Sequence, residues 1–401
     1  MPASQRILLY AELLSNIRQV SVGCTLPTPV STTTRATVSA DGRTLTVAHD
    51  GATQTVQLPE NVIPFSQLPI AKPGGTSLAW RLPLAGPPTG RVPSASEESV
   101  PWSAVDLEPG SVVACRTCKS TVVDAGALKV WKDLPSENWA EMMEFWHCHK
   151  PHSHKDDNED EHLANRGYGA SSRISAQPGV GFVDLTSFLL ADSDLVVSSI
   201  SALAVTNDGG SDAIRTQTTL RCASCQTQIG VRDDQALSVS IFKWQVLVQQ
   251  QKRNIAGLSP SLAQCASAML LATMARSGCS KSIFLPIKGV SPDGSKSEGP
   301  GRVYDLLNIW VFNANITFSS TEAPTSPINA VKVFYRTVSP EEADKLLESM
   351  TSDVQDIPLP SEAITTISEL LNRSNAFVPE GDRRFQDWTV GLLEKWNGKG
   401  G

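Results

Sequence analysis

The sequence lacks a long apolar run and an excess of basic residues. No stretch of its 401 residues approaches the length of an apolar helix that crosses a bilayer, and the segment Met1 to Leu14 is interrupted by Tyr10 and Glu12, where a signal peptide has a continuous apolar core. The formal net charge is −7, whereas a general nucleic-acid binder needs a basic face to neutralise phosphates. We therefore predict a protein of the cytoplasm and nucleus, with no membrane partner and no direct nucleic-acid partner.

The sequence also lacks the usual motifs of nucleotide-binding and hydrolytic enzymes. Gly74-Gly75-Thr76-Ser77 has no lysine of a phosphate-binding loop, and Gly179-x-Gly181 is too short for a dinucleotide fingerprint. Outside one histidine-rich neighbourhood, only His49 is available as the base of a serine or cysteine hydrolase. Cys265 and Cys279 have no histidine near them in sequence, which favours buried structural thiols.

Length and hydrophobic patterning favour two or three domains of an α+β, mainly β, fold. We predict antiparallel β domains with an inserted zinc ribbon and a helical C-terminal tail, divided into 1–108, 109–235 and 236–401. Alternating runs around Asp41-Gly42 and Asp50-Gly51 predict hairpins in the first domain. Further strands are predicted over Ile241–Val248, Ser282–Ile287, Val303–Phe318 and Ala330–Val338, and helices over Ser261–Ser277, Pro340–Met350, Ser361–Asn372 and Arg383–Trp396.

Two Cys-x-x-Cys knuckles form the most specific chemical motif. Cys115-x-x-Cys118 and Cys222-x-x-Cys225 each follow a short apolar strand, and this spacing is typical of a zinc site in a reducing compartment. The two-residue gap lets both thiolates of a knuckle reach one ion while backbone amides in the turn steady the sulfurs. We therefore predict a structural Zn²⁺ held by four thiolates.

A second partition of the ligands remains open, because the gap between the knuckles is longer than a compact ribbon needs. In it, Cys115 and Cys118 would bind the ion with Cys148 and one histidine. We favour the four knuckle thiols, since the other set leaves Cys222 and Cys225 without partners.

A helical pattern between the knuckles predicts a recognition helix at about residues 136–149, followed by a mobile acidic and histidine-containing loop. Ser136 can cap its start and Pro151 ends it. Its apolar face comprises Trp139, Met142, Met143 and Trp146.

The helix carries His147-Cys148-His149 at its C-terminal end, where the helix dipole disfavours a free thiolate. Five of the six histidines lie in this neighbourhood, which favours a ligand for a soft or borderline metal over an unassisted nucleophile. Plain core packing is the competing interpretation, because a Met/Trp stripe is most often buried.

The order of four motifs resembles the HECT-like ubiquitin-conjugating-enzyme-binding family. They are the first knuckle, the Leu-Pro-Ser-Glu-Asn-Trp helix ending in Trp146-His147-Cys148-His149, the second knuckle and the tail Pro379 to Leu393. The resemblance spans roughly Cys115 to Trp396. It implies a ubiquitin-protein ligase-like protein that binds a ubiquitin-conjugating enzyme and cyclin B and promotes protein ubiquitination.

The resemblance also implies a second partner, the metallo-β-lactamase-type endonuclease of mRNA cleavage and polyadenylation. In that role, Trp146, His147, Cys148 and His149 form the partner-binding segment, with Cys148 reaching the open position of the partner's zinc. A HECT ligase needs a cysteine near its C-terminus to carry ubiquitin as a thioester, and no cysteine follows Cys279. We therefore expect any ligase activity to act by scaffolding or through another cysteine.

Overall fold

A computed structural model describes residues 6–70, 74–86, 100–134, 175–203, 217–250, 259–287, 306–324, 326–349 and 353–398. Over these residues the protein is mainly β with mostly antiparallel sheets, which confirms the predicted fold class. None of the helices in these ranges is both long and apolar enough to cross a membrane. The predicted recognition helix, with Trp146, His147, Cys148 and His149, lies outside the described residues.

The described elements are 22 strands, three α-helices and several 3-10 turns. The strands are β1 (Leu8–Leu14), β2 (Gln19–Thr25), β3 (Arg35–Val38), β4 (Thr44–His49), β5 (Ala52–Gln57), β6 (Ser77–Pro83), β7 (Val112–Cys115), β8 (Thr121–Val123), β9 (Val130–Asp133), β10 (Val180–Val183), β11 (Ser187–Ala191), β12 (Ile200–Leu203), β13 (Gln217–Cys222), β14 (Gln228–Asp233), β15 (Ser238–Phe242), β16 (Val246–Gln249), β17 (Lys281–Pro286), β18 (Leu306–Ser320), β19 (Ile328–Val338), β20 (Val354–Leu359), β21 (Arg384–Phe385) and β22 (Trp388–Glu394). The helices are α1 (Leu262–Ser277), α2 (Pro340–Glu348) and α3 (Ser361–Asn375).

The chain forms two compact units, each assembled from separate stretches. Unit 1 comprises Met1–Ser99, Ala266–Leu285 and Val303–Asn397, and unit 2 comprises Val100–Cys265, Pro286–Arg302 and Gly398–Gly401. The three predicted domains were consecutive ranges instead. The two divisions differ because strands from both ends of the chain share one sheet in unit 1.

That sheet has nine strands, with the path β21-β22-β19-β18-β1-β2-β6 and with β17 and β20 beside β18. One side of the long β18 pairs with β19. Its other side pairs with β17 near Trp310 and with β1 near Ser320. Buried apolar side chains of β1, β2 and β6 continue into the core of the smaller β3-β4-β5 sheet.

The small sheet of unit 1 is formed by the predicted hairpins. Asp41-Gly42 joins β3 to β4, and Asp50-Gly51 joins β4 to β5. Gly42, Asp50 and Gly51 have φ angles of 70°, 46° and 82°, in the left-handed region that glycine adopts without strain. The aspartate-glycine signal therefore predicted both turns correctly.

The C-terminal tail combines helices with strands. Helices α2 and α3 confirm the predictions at 340 and 361, and the Ser339 side chain caps α2 by accepting from the Glu342 N–H at 3.2 Å. The predicted helix Arg383–Trp396 is wrong, because β21 and β22 form a hairpin there and β22 pairs with β19.

Helix α3 explains why the tail segment is a strand. Its buried residues face β22, where the Ser374 hydroxyl accepts from the Leu392 N–H at 2.8 Å and Asn375 Nδ2 donates to the Val390 carbonyl at 2.8 Å. A Cβ on Gly391 would lie 2.5 Å from Leu371 Cδ2, so a larger residue at this position would have to displace the buried Leu371 side chain between α3 and β22.

Unit 2 contains a seven-stranded sheet, β12-β13-β14-β15-β11-β10-β9, and a three-stranded sheet, β16-β7-β8. The predicted strand Ile241–Val248 is two strands, β15 and β16, separated by a 3-10 turn at Lys243–Gln245. In that turn the buried Lys243 ammonium donates to the carbonyls of Pro101, Trp102 and Leu185. The break in the strand therefore lets the chain pass from one sheet to the other.

Candidate metal centre

The structure brings together the four thiols of the two predicted knuckles. Cys115 ends β7, Cys222 ends β13, and Cys118 and Cys225 lie in the turns that follow these strands. The four sulfurs all lie within 4.8 Å of one another. The ligand partition that the sequence favoured is thus the one whose thiols converge in the described part of the chain.

The sulfur separations fit a tetrahedral metal and do not fit disulfides. Cys115 Sγ lies 3.6 Å from Cys225 Sγ, and Cys118 Sγ lies 3.4 Å from Cys222 Sγ. A metal–sulfur bond of about 2.3 Å places neighbouring sulfurs of a tetrahedron about 3.8 Å apart, whereas a disulfide needs about 2.05 Å. All four cysteines are free. They could therefore hold one metal ion as a four-thiolate centre.

The two knuckles have the same backbone conformation. The Lys119 N–H donates to the Cys115 carbonyl at 2.9 Å, and the Gln226 N–H donates to the Cys222 carbonyl at 2.8 Å. Lys119 and Gln226 each follow the second cysteine of a knuckle, with φ angles of 66° and 60°. This left-handed residue turns the chain back so that the strand after the turn can begin.

Backbone amides point at the sulfurs in an equally repeated way. In each knuckle the first sulfur accepts from the N–H groups of the residues two and three positions later. Cys115 Sγ accepts from Thr117 and Cys118, and Cys222 Sγ accepts from Ser224 and Cys225. These bonds favour the thiolate, as the two-residue gap in each knuckle predicts.

Burial and hydrogen bonding divide the thiols into an inner and an outer pair. Burial raises the pKa of Cys115 to about 12 and also raises the pKa of Cys222. The side chain and the backbone of Ser120 lower the pKa of Cys118 to about 6, and the Thr227 hydroxyl lowers the pKa of Cys225. A cation would supply the charge compensation that the inner pair needs as thiolates.

The centre connects the two sheets of unit 2. Its first knuckle belongs to the β7–β8 turn of the three-stranded sheet, and its second belongs to the β13–β14 turn of the seven-stranded sheet. Arg116 strengthens this region, because its guanidinium donates to the carbonyls of Trp244, Ser259 and Pro260 at 2.8–3.0 Å. A metal bound here would therefore act as a structural link between distant parts of the chain.

Sequence reasoning missed the side chains around the sulfurs. Ser120 Oγ lies 3.3 Å from Cys118 Sγ, and Thr227 Oγ1 lies 3.2 Å from Cys225 Sγ. A hydroxyl two residues after the second cysteine occurs in both knuckles, and that repeat is the signal from which they could have been found.

Residues 146–149 of the predicted partner-binding segment are not among those that the structure describes. The strands on either side of that segment, β9 and β10, pair with each other in parallel at one edge of the seven-stranded sheet. The Leu134 N–H donates to the Val183 carbonyl at 2.8 Å, and the Asp194 carboxylate accepts from the Gly179 N–H at 2.9 Å. Both flanks of the segment are therefore anchored to this edge.

Fold and site together define a mainly β protein with a four-thiol centre that could hold a metal ion. The family model for HECT-like ubiquitin-conjugating enzyme (E2)-binding proteins matches residues 12–390. The chain belongs to this family, as the resemblance predicted.

Two curated relatives are uncharacterized yeast proteins. A protein of Schizosaccharomyces pombe is 26% identical over 330 residues, which cover 79% of this chain and 83% of that protein. A protein of Saccharomyces cerevisiae is 33% identical over 82 residues, which cover 19% of this chain and 23% of that protein. No solved structure matches the chain.

Proposed function

We propose that this protein is an adaptor of the ubiquitin system. In this role it binds a ubiquitin-conjugating enzyme and promotes ubiquitin transfer from that enzyme to a substrate, with a structural zinc ion in the four-thiol centre. The family match over residues 12–390 is the observation that carries the binding role. The four-thiol donor set and its sulfur separations support zinc, which soft thiolate ligands select.

The described cysteines support transfer without a covalent ubiquitin intermediate. A thioester needs an accessible thiol that ionises readily. Burial raises the pKa values of Cys24 and Cys265 to about 12, and the four knuckle thiols converge at the metal centre. Among the described cysteines this leaves Cys279, which is partly exposed, and no cysteine follows it in the sequence. We propose direct transfer from the bound enzyme to the substrate, with a thioester on Cys279 or Cys148 as the alternative.

Unit 1 carries an aromatic face that suits a protein partner. We define it by side chains of four neighbouring strands, Trp310, Phe312, Phe334, Phe385 and Trp388. Phe312 and Phe385 are 55% and 46% exposed, and their ring centroids lie 4.7 and 5.2 Å from that of the buried Phe334. Exposed aromatic rings that rest on a rigid sheet are typical anchors of protein interfaces. We assign the conjugating enzyme to this face.

A binding assay with purified full-length protein and a panel of ubiquitin-conjugating enzymes tests the proposal. Wild type is expected to bind at least one enzyme and to accelerate discharge of its ubiquitin, and binding of cyclin B, the further partner that the resemblance implies, is measured in the same assay. Phe312→Ala/Phe385→Ala should weaken binding by at least about tenfold, because both aromatic anchors are lost. Ile17→Ala, which removes an exposed apolar side chain elsewhere in unit 1, is the matched control and should bind like wild type.

Each failure has a separate meaning. If wild type binds none of the panel, the adaptor function is overturned. If all three proteins bind equally well, the function stands and the aromatic face is not the contact. If a ubiquitin adduct that reducing agent removes forms on wild type and is lost in Cys279→Ser or in Cys148→Ser, covalent transfer replaces direct transfer.

A second proposal concerns the mRNA cleavage and polyadenylation endonuclease, with Cys148 reaching the partner's zinc. The sequence Trp146-His147-Cys148-His149 supports it, because a thiol flanked by histidines is suited to zinc ligation. The flanking strands support it too, since β9 and β10 anchor both sides of the segment to one sheet edge.

Affinity purification from cell extract tests this second proposal. Cys148→Ser should lose the endonuclease that wild type retains, whereas Cys279→Ser, a cysteine change far away in sequence, should retain it. The zinc content of each bait must match wild type, so that misfolding is excluded. Equal recovery with wild type and Cys148→Ser contradicts the role of Cys148.

A further inference from the structure

The two knuckles are linked to each other by side-chain hydroxyls as well as by their sulfurs. Ser120 Oγ lies 2.9 Å from Ser224 Oγ of the opposite knuckle. In the equivalent position, Thr227 Oγ1 lies 3.3 Å from Thr117 Oγ1. The same contact thus occurs twice, related by exchange of the knuckles, although the knuckles are about a hundred residues apart in sequence.

Equivalent residues of the two knuckles are also buried to the same extent. Cys115 and Cys222 are buried, Cys118 and Cys225 are partly exposed, and the next hydroxyl residues, Ser120 and Thr227, are partly exposed as well. Their partners, Thr117 and Ser224, are exposed. Ser120 and Thr227 therefore lie beside the two outer sulfurs, with the exposed Ser224 and Thr117 bonded to them, whereas the two inner sulfurs accept from backbone amides.

The proton count assigns a direction to these bonds. A hydroxyl has one proton to donate and two lone pairs that accept, and a metal-bound thiolate has no proton. With the ion bound, Ser120 must donate to Cys118 Sγ and accept from Ser224, and Thr227 must donate to Cys225 Sγ and accept from Thr117. In this way Ser224 of the second knuckle is linked through Ser120 to Cys118 Sγ, and Thr117 of the first knuckle is linked through Thr227 to Cys225 Sγ.

We propose that Ser120 and Thr227 are positioning residues of the metal centre: each orients one outer thiolate and, through the hydroxyl of the opposite knuckle, holds the two knuckles at the separation that suits one ion. The proposal rests on the zinc centre of the proposed function and not on the adaptor role. Partners of this kind around a metal site change affinity by about tenfold to a hundredfold when they are removed. These two side chains act on the metal only through the sulfurs.

The test uses full-length protein and measures zinc release to a chromogenic chelator. Ser120→Ala/Thr227→Val removes both hydroxyls, with valine keeping the shape of threonine, and should release zinc about tenfold or more faster than wild type. Ser120→Thr/Thr227→Ser exchanges the residues but keeps both hydroxyls, and should release zinc at the wild-type rate. Thr117→Val/Ser224→Ala removes only the link between knuckles, and should give an intermediate rate.

A spectroscopic readout separates positioning from a general loss of stability. In the Co²⁺-loaded protein, loss of the hydroxyl bonds to two sulfurs should shift the thiolate-to-metal charge-transfer bands in Ser120→Ala/Thr227→Val and leave them unshifted in Ser120→Thr/Thr227→Ser. Single variants take the place of the double variant if it does not fold.

Wild type that binds no zinc overturns the zinc centre, and this inference with it. Wild type that binds zinc while Ser120→Ala/Thr227→Val keeps both its release rate and its Co²⁺ spectrum overturns the positioning role alone. Failure of Ser120→Thr/Thr227→Ser to restore the wild-type rate would also overturn it.

Discussion

The two units join distant parts of the chain by different physical means. In unit 1, strand pairing brings β1 next to β18, and buried apolar side chains such as Leu9 and Ile316 fill the space around the sheet. In unit 2, two sheets meet at four thiols contributed by two turns. The comparison teaches that unit 1 is joined by apolar burial spread over many residues, whereas the sheets of unit 2 also converge on four thiols that could hold a metal ion.

The largest expected effect is the loss of one thiolate in unit 2. Cys222→Ser should abolish stoichiometric zinc binding and remove most of an apparent folding contribution of roughly 10 kcal/mol or more. Unit 1 should stay folded, because its sheet contains none of the four thiols. Limited proteolysis with mass spectrometry, together with zinc analysis, checks this: new cleavage sites should lie within 100–265. Cleavage spread evenly over both units would break the comparison.

A core truncation in unit 1 should have the next largest effect. Leu371→Ala removes a fully buried side chain of α3 that packs on β22, and should lower the free energy of unfolding by about 2–5 kcal/mol. Zinc content should not change. Urea denaturation measures the loss, and Glu369→Ala on the same helix is the control, expected to lie within about 0.5 kcal/mol of wild type. A fall in zinc content would show that the two units are not independent.

The buried lysine of unit 2 should matter less. Lys243→Met keeps the apolar stem but leaves the carbonyls of Pro101, Trp102 and Leu185 without their donor, which should destabilise unit 2 by about 1–3 kcal/mol. Thermal unfolding of the zinc-loaded protein measures this change. If Lys243→Met is as stable as wild type, water or other donors satisfy these carbonyls and the lysine is dispensable.

The smallest expected effect is the loss of a helix cap in unit 1. Ser339→Ala removes the acceptor for the Glu342 N–H and should destabilise α2 by about 1 kcal/mol. Ser339→Asp, which retains an acceptor, is the control and should stay close to wild type. Hydrogen exchange of the first turn of α2 reports the change most directly, and unaltered exchange in Ser339→Ala would exclude the cap.

Local signals were sufficient where a short segment determines its own conformation. The hairpins at Asp41-Gly42 and Asp50-Gly51 follow from residues that tolerate the left-handed region, and α2 follows from Ser339 and Pro340. The same reasoning gave a wrong prediction for the tail strand β22, because the periodicity of the short apolar run Trp388–Glu394 does not distinguish a strand from a helix. The segment is a strand because it pairs with β19 and because α3 packs closely on it at Gly391.

By itself, the sequence determined the mainly β class, the turns, two helix starts and the four thiols, since each depends on neighbouring residues or on a two-residue spacing. Only the tertiary structure decided that β1 pairs with β18, that β22 is a strand, and that Ser120 and Thr227 face the opposite knuckle. The physical reason is distance along the chain. Contacts between residues that lie far apart in sequence depend on how the whole chain folds, which no local pattern encodes.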